Sequence, residues 1–330
     1  MKKKMTLLAL CAIPLALCSS AAQAQQSGKI SRIGYVRVVG VPSIPGPNVE
    51  AFRQGLKDLG YVEGKNILTE FRYAEGKPDR VPSLVAELVR LKVDILISGD
   101  DTTLRAAKEA TKTIPIVMVI NQDPVATGLV DSLARPGGNI TGISRLTREL
   151  SGKRLELLTE VVPGIVRVGI LWDVTAEGPN ISFKEYESAA RALKIQLQSL
   201  EVRSPDPDLG GAFQSAVKGR ASALITIGNS LLNRYRKQIA NYAIKHRLPS
   251  MYESSQWIEP GGLISYSSND AESYRRAAWV VDKILKGTKP ADIPVEQPTK
   301  FELVINLKTA KQIGLEIPQS VLFRADRVIK

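Results

Sequence analysis

Histidine is nearly missing from this chain: His246 is the only one in 330 residues. That excludes a multi-histidine metal site and leaves one imidazole for any proton transfer. Cysteine occurs only at Cys11 and Cys18. Aromatic residues make up 5% of the chain, too few for nucleic-acid platforms built on stacked rings. Phosphate cradles are absent as well. Gly64-Lys65 is followed by Asn66, Gly76-Lys77 by Pro78 and Gly152-Lys153 by Arg154, so no G-x-x-x-x-G-K-[ST] exists. There is no G-x-G-x-x-G and no G-x-S-x-G elbow. Carboxylates are scattered, with no motif for paired acid–base work.

What is present begins with a leader. Lys2, Lys3 and Lys4 precede the apolar run Met5–Cys18, and Ala22-Gln23-Ala24 is a small-residue cleavage signal. The run is too short to span a bilayer. Residues 1–24 are therefore expected to be a signal peptide, removed after Ala24 on export to the periplasm. Both cysteines leave with it, which excludes disulfides and thiol catalysis. Leu10 and Leu17, immediately before the cysteines, argue against a lipid anchor. No later run of 18 apolar residues exists, so a soluble mature protein is expected. The whole chain carries +12, and the three leader lysines contribute to that surplus.

The mature chain alternates strand and helix. Strands are expected at Ile30–Val38, Ile67–Tyr73, Val93–Ile97 and Ile114–Ile120. Helices are expected at Val49–Leu59, at Asp79–Leu91 behind an Asp79 cap, and at Thr102–Thr111. This alternation implies an α/β fold with parallel sheets covered on both faces. The pattern then recurs. Ile33-Gly34-Tyr35-Val36 resembles Val168-Gly169-Ile170-Leu171, and Gly46-Pro47-Asn48 returns as Gly178-Pro179-Asn180. Asp94–Asp100 resembles Ser222–Asn229, Ile114-Pro115 resembles Leu248-Pro249, and Pro136-Gly137-Gly138 returns as Pro260-Gly261-Gly262. Matches in one order, at an offset of about 130 residues, predict two Rossmann-like lobes of similar topology.

In such sheets ligands bind beyond the carboxyl ends of the strands. The first-lobe candidates are Val39 and Gly40, then Asp100, Asp101 and Thr102, then Asn121 and Asp123. The second-lobe candidates are Trp172 and Asp173, Asn229 and Ser230, and Tyr252 and Glu253. Helix capping is the competing role for Asp101, Thr102 and Ser230. His246 is expected as a solvated helix C-terminal residue. Tyr274-Arg275-Arg276 and Arg234-Tyr235-Arg236-Lys237 read as solvated helix faces with one core aromatic, not as nucleic-acid contacts.

The segment Ile293–Lys330 (IPVEQPTKFELVINLKTAKQIGLEIPQSVLFRADRVIK) closely resembles exported substrate-binding proteins of the ABC-transporter family that includes tryptophan and tyrosine binders. Pro115–Ser144 and Gly261–Tyr266 (GGLISY) resemble it too. The resemblance covers nearly the whole mature chain and is most specific at Val295–Lys308. It implies a type I periplasmic binding protein, whose two lobes are joined by three crossover strands. Those crossovers are expected near Ile143–Leu146, Tyr266–Asn269 and Thr299–Phe301. Lobe 1 would comprise residues 25–144 plus 267–298, and lobe 2 residues 145–266 plus 299–330.

The implied activity is capture of a small carboxylate-bearing metabolite, an amino acid or related carboxylate, by hinge closure. The implied partner is an ABC permease in the inner membrane. No cofactor, no enzymatic activity and no nucleic-acid partner are expected, and the protein is expected to be a monomer. The sequence departs from the family at Asp100-Asp101-Thr102, where small residues are usual, at Asp173, where Asn is usual, and at Ser267, where Gly is usual. The extra carboxylates imply a ligand with a cationic or hydroxyl-rich group. A ligand carboxylate is expected at Thr102 or Ser230, its ammonium at Asp100, Asp101, Asp123 or Asp173, and an aromatic side chain on Trp172, Tyr35 or Tyr252. A sensory module that presents its ligand to a membrane receptor needs the same closure and stays open as an alternative. A secreted α/β enzyme is disfavoured by the single histidine and the missing nucleophile elbow.

Overall fold

The computed structural model describes residues 30–40, 46–145 and 150–330. The expected leader, the prolines Pro42 and Pro45, and Leu146 of the first crossover lie outside these residues. Strand β1 is Ser31–Arg37, β2 Ile67–Tyr73, β3 Ile95–Ser98, β4 Ile116–Ile120 and β5 Ile140–Ser144. They form one parallel sheet in the order β2-β1-β3-β4-β5. The second sheet has seven strands: β6 Arg167–Asp173, β7 Gln196–Val202, β8 Ala223–Thr226, β9 Ser250–Tyr252, β10 Ile264–Ser268, β11 Phe301–Asn306 and β12 Arg327–Ile329. Their order is β12-β11-β10-β9-β8-β6-β7, and only β10 and β11 pair antiparallel. Reversing that list sets β6 to β10 in the order of β1 to β5. The repeated tripeptides fall at equivalent places in the two sheets, as the repeat predicts.

The helices are α1 Pro47–Asp58, α2 Val81–Arg90, α3 Asp101–Ala110, α4 Ser151–Val161, α5 Glu177–Leu193, α6 Leu209–Lys218, α7 Ser230–Arg234, α8 Arg236–Lys245, α9 Asp270–Leu285, α10 Leu307–Ile313 and α11 Gln319–Leu322. Continuous apolar strands bury both faces. Ile33 and Tyr35 of β1 join a core with α1 and α9, whereas Val36 packs on the other face with Val85 and Leu88 of α2. In the second sheet Ile170 faces Leu155 and Leu158 of α4, while Leu171 faces Phe213 of α6. Gly34 and Gly169 are equivalent. A Cβ on Gly34 would lie 2.9 Å from Leu88 and Leu96, and one on Gly169 2.7 Å from Leu200. Both glycines let a large aliphatic side chain sit against the strand.

Most expected elements form within a residue or two. Asp79, however, does not cap α2. It sits in a 3-10 turn at Pro78–Arg80, and α2 starts after Arg80 without a side-chain cap. The chain passes between the sheets after β5, between β10 and α9, and before β11. At the last passage Val295–Glu296 runs beside β5, with Ser144 N–H donating to Glu296 O and Glu296 N–H to Gly142 O, both at 2.9 Å. Among the described residues, no helix is long and apolar enough to cross a membrane.

Candidate functional site

The carboxyl ends of the two sheets face each other across a cleft. Equivalent side chains open the helices there. Asp100 ends the β3 segment and its Oδ1 accepts from Thr103 N–H at 2.9 Å, capping α3. Asn229 follows β8 and its Oδ1 accepts from Leu232 N–H at 2.9 Å, capping α7. The caps are thus Asp100 and Asn229, rather than Asp101, Thr102 or Ser230. The side-chain oxygen of an Asp or Asn whose backbone is extended supplies what the first helical N–H groups lack.

Two chambers of about 520 and 530 Å³ occupy the cleft and share the lining residues Val38, Gly76, Ser230 and Arg234. Each falls within the usual range for a small-molecule site. A neck of about 40 Å³ lies between them, lined from both lobes by Asp100, Asn121, Gln122, Arg145, Asn229 and Ser230. Three of its polar atoms, Gln122 Oε1, Arg145 Nε and Ser230 Oγ, are buried without hydrogen-bond partners. Buried polar atoms are nearly always paired in native proteins, so this cluster marks a place for ligand or water. A further cavity of about 610 Å³ lies on the passages between the lobes. Arg276 and Glu296 neutralise each other there, with Nη2 and Oε1 at 2.9 Å. It lies away from the facing strand ends.

Nine of the thirteen candidates line the cleft. Val39, Gly40 and Asp100 line one chamber; Asp101, Thr102 and Asp173 line the other; Asn121, Asn229 and Ser230 line the neck. The other four lie elsewhere. Asp123 accepts from Val125 and Ala126 N–H at 2.8 and 3.0 Å and holds its own turn. Trp172 stacks on Phe183 with ring centroids 4.6 Å apart. Tyr252 is fully buried against Trp257 at 4.8 Å, and burial pushes its hydroxyl up to about 12. Glu253 ties the second lobe together: it accepts from Arg154, Tyr186 and the Gly228 N–H at 3.3, 3.1 and 3.0 Å. It supports the cleft through Gly228, which precedes Asn229. Burial raises its pKa, and Arg154 and the Gly228 N–H only partly offset this.

The aromatic platform expected of Trp172, Tyr35 and Tyr252 is therefore not there, because all three rings belong to cores; Tyr35 is also fully buried. The ring that does line the cleft is Tyr73, at the end of β2. The four aspartates are already engaged. Asp101 pairs with Arg105 at 3.3 Å. Asp173 accepts from the Thr175 hydroxyl at 2.6 Å and from Asn229 Nδ2 at 2.9 Å. Asp100 is raised in pKa by burial, which Thr103 and then Arg37 partly offset.

Arg37, Arg234 and Arg236 were not anticipated as site residues. The basic run on α7 and α8 does not simply face solvent: Arg234 and Arg236 line the cleft, with Arg37 opposite. Arg37 follows β-strand residues whose alternation carries no mark of function. Among the described residues no group of three His, Cys, Asp or Glu is placed to hold a metal.

Two α/β lobes with matching strand order, passages between sheets and a cleft at their carboxyl edges define the type I periplasmic binding fold. The chain belongs to the ABC transporter substrate binding protein family, whose profile matches residues 36–329. It is similar to a tyrosine-binding protein of Clostridioides difficile, 26% identical over 290 residues that span 88% of this chain and 83% of that one. A solved conserved domain protein of Vibrio cholerae is 27% identical, with a TM-score of 0.82 over 91% of this chain and 100% of that one. A Streptococcus protein solved with L-Trp is 24% identical, with a TM-score of 0.83 over 91% of this chain and 99% of that one; this likeness concerns the fold. The family and the tyrosine-binding relative are described as binding proteins.

Proposed function

We propose that this protein is the exported solute-binding component of an ABC importer, and that it captures a small carboxylate-bearing metabolite, an amino acid or a close relative of one, between its lobes. The carrying observation is the neck in which Gln122 and Arg145 from one side meet Ser230 from the other, each with a buried unpartnered polar atom. A ligand that supplies those partners touches both lobes at once and favours the closed arrangement. The tyrosine-binding relative supports the amino-acid class. The bodies that move are residues 25–144 plus 267–298 and residues 145–266 plus 299–330. A membrane permease reads the closed shape, and ATP hydrolysis occurs in a separate subunit.

Thermal unfolding across a panel of amino acids, related organic acids and sugars tests this. A ligand at a hundredfold excess over Kd stabilises the fold by about 2.7 kcal/mol, a rise of several degrees in Tm. No shift with any carboxylate would defeat the reading. Export rests on the leader: intact mass of periplasmic protein should show Gln25 as the first residue. A mass retaining Cys18 with acyl chains would show an anchored lipoprotein instead.

A further inference from the structure

We infer that Arg37 and Arg236 form an anion-bridging pair across the cleft, which selects a ligand of net negative charge. This rests on the solute-binding reading above and names the charge class of its ligand. The two guanidinium groups come from opposite lobes. Arg37 is the last residue of β1 and Arg236 the first of α8, and both line the chamber of about 530 Å³. Both are half-buried. Among the described residues neither lies within ion-pair distance of a carboxylate, and Arg236 donates only to the Asn233 carbonyl, at 2.9 Å. Arg236 is lowered in pKa by burial and then by the charge of Arg37; for Arg37 the lowering by burial is outweighed by Tyr35, Tyr274 and Asp100, which keep it charged.

The neighbouring acids offset these charges only in part: Asp100 acts on Arg37 through the field, without an ion pair. Asp100 has its oxygens on the Thr103 and Val38 N–H groups at 2.9 and 3.4 Å. Glu75, on the exposed rim, pairs with Arg80 at 3.2 Å. Ser230 adds a hydroxyl whose oxygen is buried without a partner and lines the same chamber. The aspartates expected to receive an ammonium each have partners in their own lobe. A zwitterion would thus bring a cation into a chamber where Arg37, Arg234 and Arg236 outnumber Glu75 and Asp100. An organic acid without an ammonium brings only the charge the cleft lacks.

The arrangement also couples binding to closure. In the absence of an anion, two like charges on facing lobes oppose approach. A carboxylate between them turns that repulsion into two charge-assisted hydrogen-bonded contacts, available only when the lobes are close.

The test is calorimetric titration of the secreted chain and of Arg37→Gln, Arg236→Gln and the double variant. The probes are 4-hydroxyphenylpyruvate with tyrosine, 2-oxoisocaproate with leucine, and glucose. The keto acid of a pair should bind at least about tenfold tighter than its amino acid. Each single variant should weaken it roughly thirtyfold or more, with a double variant short of the product of the two losses. Arg37→Lys and Arg236→Lys keep the charge and should recover part of the affinity. Binding to the unaltered chain should fall as salt rises from about 0.02 to 0.5 M, a readout independent of how the variants fold. If an amino acid binds tighter than its keto acid and the Gln variants lose less than about threefold, the inference fails while solute binding stands. If glucose alone binds, or nothing does, both readings fail.

Discussion

Asp100 shows how one side chain answers two demands. It caps α3 and lies in a cleft where burial raises its pKa. Asp100→Ala should cost about 1 kcal/mol through loss of the cap, and Asn229→Ala a similar amount in the other lobe. Asp100→Asn keeps the cap and removes a buried charge, so it should match or exceed the parent in stability at neutral pH. The sign follows from linkage. A folded pKa above the unfolded one means that the folded state binds the proton more readily, so the parent gains stability as pH falls through the folded pKa. The advantage of Asn should therefore shrink on acidification, as read by urea midpoints across pH; a growing advantage would contradict the assignment. Glu253 carries a larger burden. Glu253→Ala removes the carboxylate opposite fully buried Arg154 and should cost about 3–5 kcal/mol in urea unfolding. A loss under about 1 kcal/mol would show that Arg154 is satisfied without it.

At the scale of elements, strands and helices dock through positions that tolerate no side chain. Gly142 in β5 has φ +137°, and a Cβ there would lie 2.6 Å from Met118 N on the neighbouring strand β4. Gly142→Ala combines backbone strain with a clash against backbone that cannot swing away, so a loss of at least about 3 kcal/mol is expected in denaturant melts. Gly99 differs in kind. A Cβ there would strike the Tyr274 hydroxyl, with the ring carbon Cζ at 3.3 Å. Tyr274 belongs to α9, which arrives from the second sheet to pack beside α1. Gly99→Ala should therefore loosen α9 as well as β3, and faster amide exchange in α9 would report it. Unchanged exchange there would confine the effect to the β3 end.

For the molecule as a whole, the passages between lobes decide what motion is possible. Arg145, just after β5, pairs with Asp270 at the start of α9, and Ser254 donates to the same carboxylate at 2.6 Å. This buried knot fastens two of the passages to each other at the back of the cleft. The lobes are expected to rotate about it, not slide. Saturating ligand should reduce the radius of gyration measured by small-angle scattering, and profiles that superpose would exclude closure. Asp270→Asn should weaken the knot and broaden the ligand-free ensemble, seen as a larger radius of gyration without ligand.

Much was decided by sequence alone. Buried parallel strands need unbroken apolar runs, and helices between them need a 3.6-residue period. Those local requirements made the strands, the two-lobe repeat and the strand ends that face the cleft readable, so Asp101, Asn229 and Ser230 fall where expected. Short-range chemistry was harder to rank. Asp100 and Asn229 cap helices because of their backbone angles, which their neighbours in sequence do not reveal. Whether a ring at a strand end faces ligand or core depends on which helix covers it. Phe183 and Trp257 take Trp172 and Tyr252 into the interior, and among the described residues Tyr73 is the ring left at the cleft. The arginines are the clearest case. Arg37 and Arg236 lie nearly 200 residues apart in sequence, and a long charged side chain acquires a role only when a second lobe is folded opposite it. Each looks solvated in isolation. Only the tertiary structure brings these two cations to one chamber, because only the packing of the lobes fixes the distance between them.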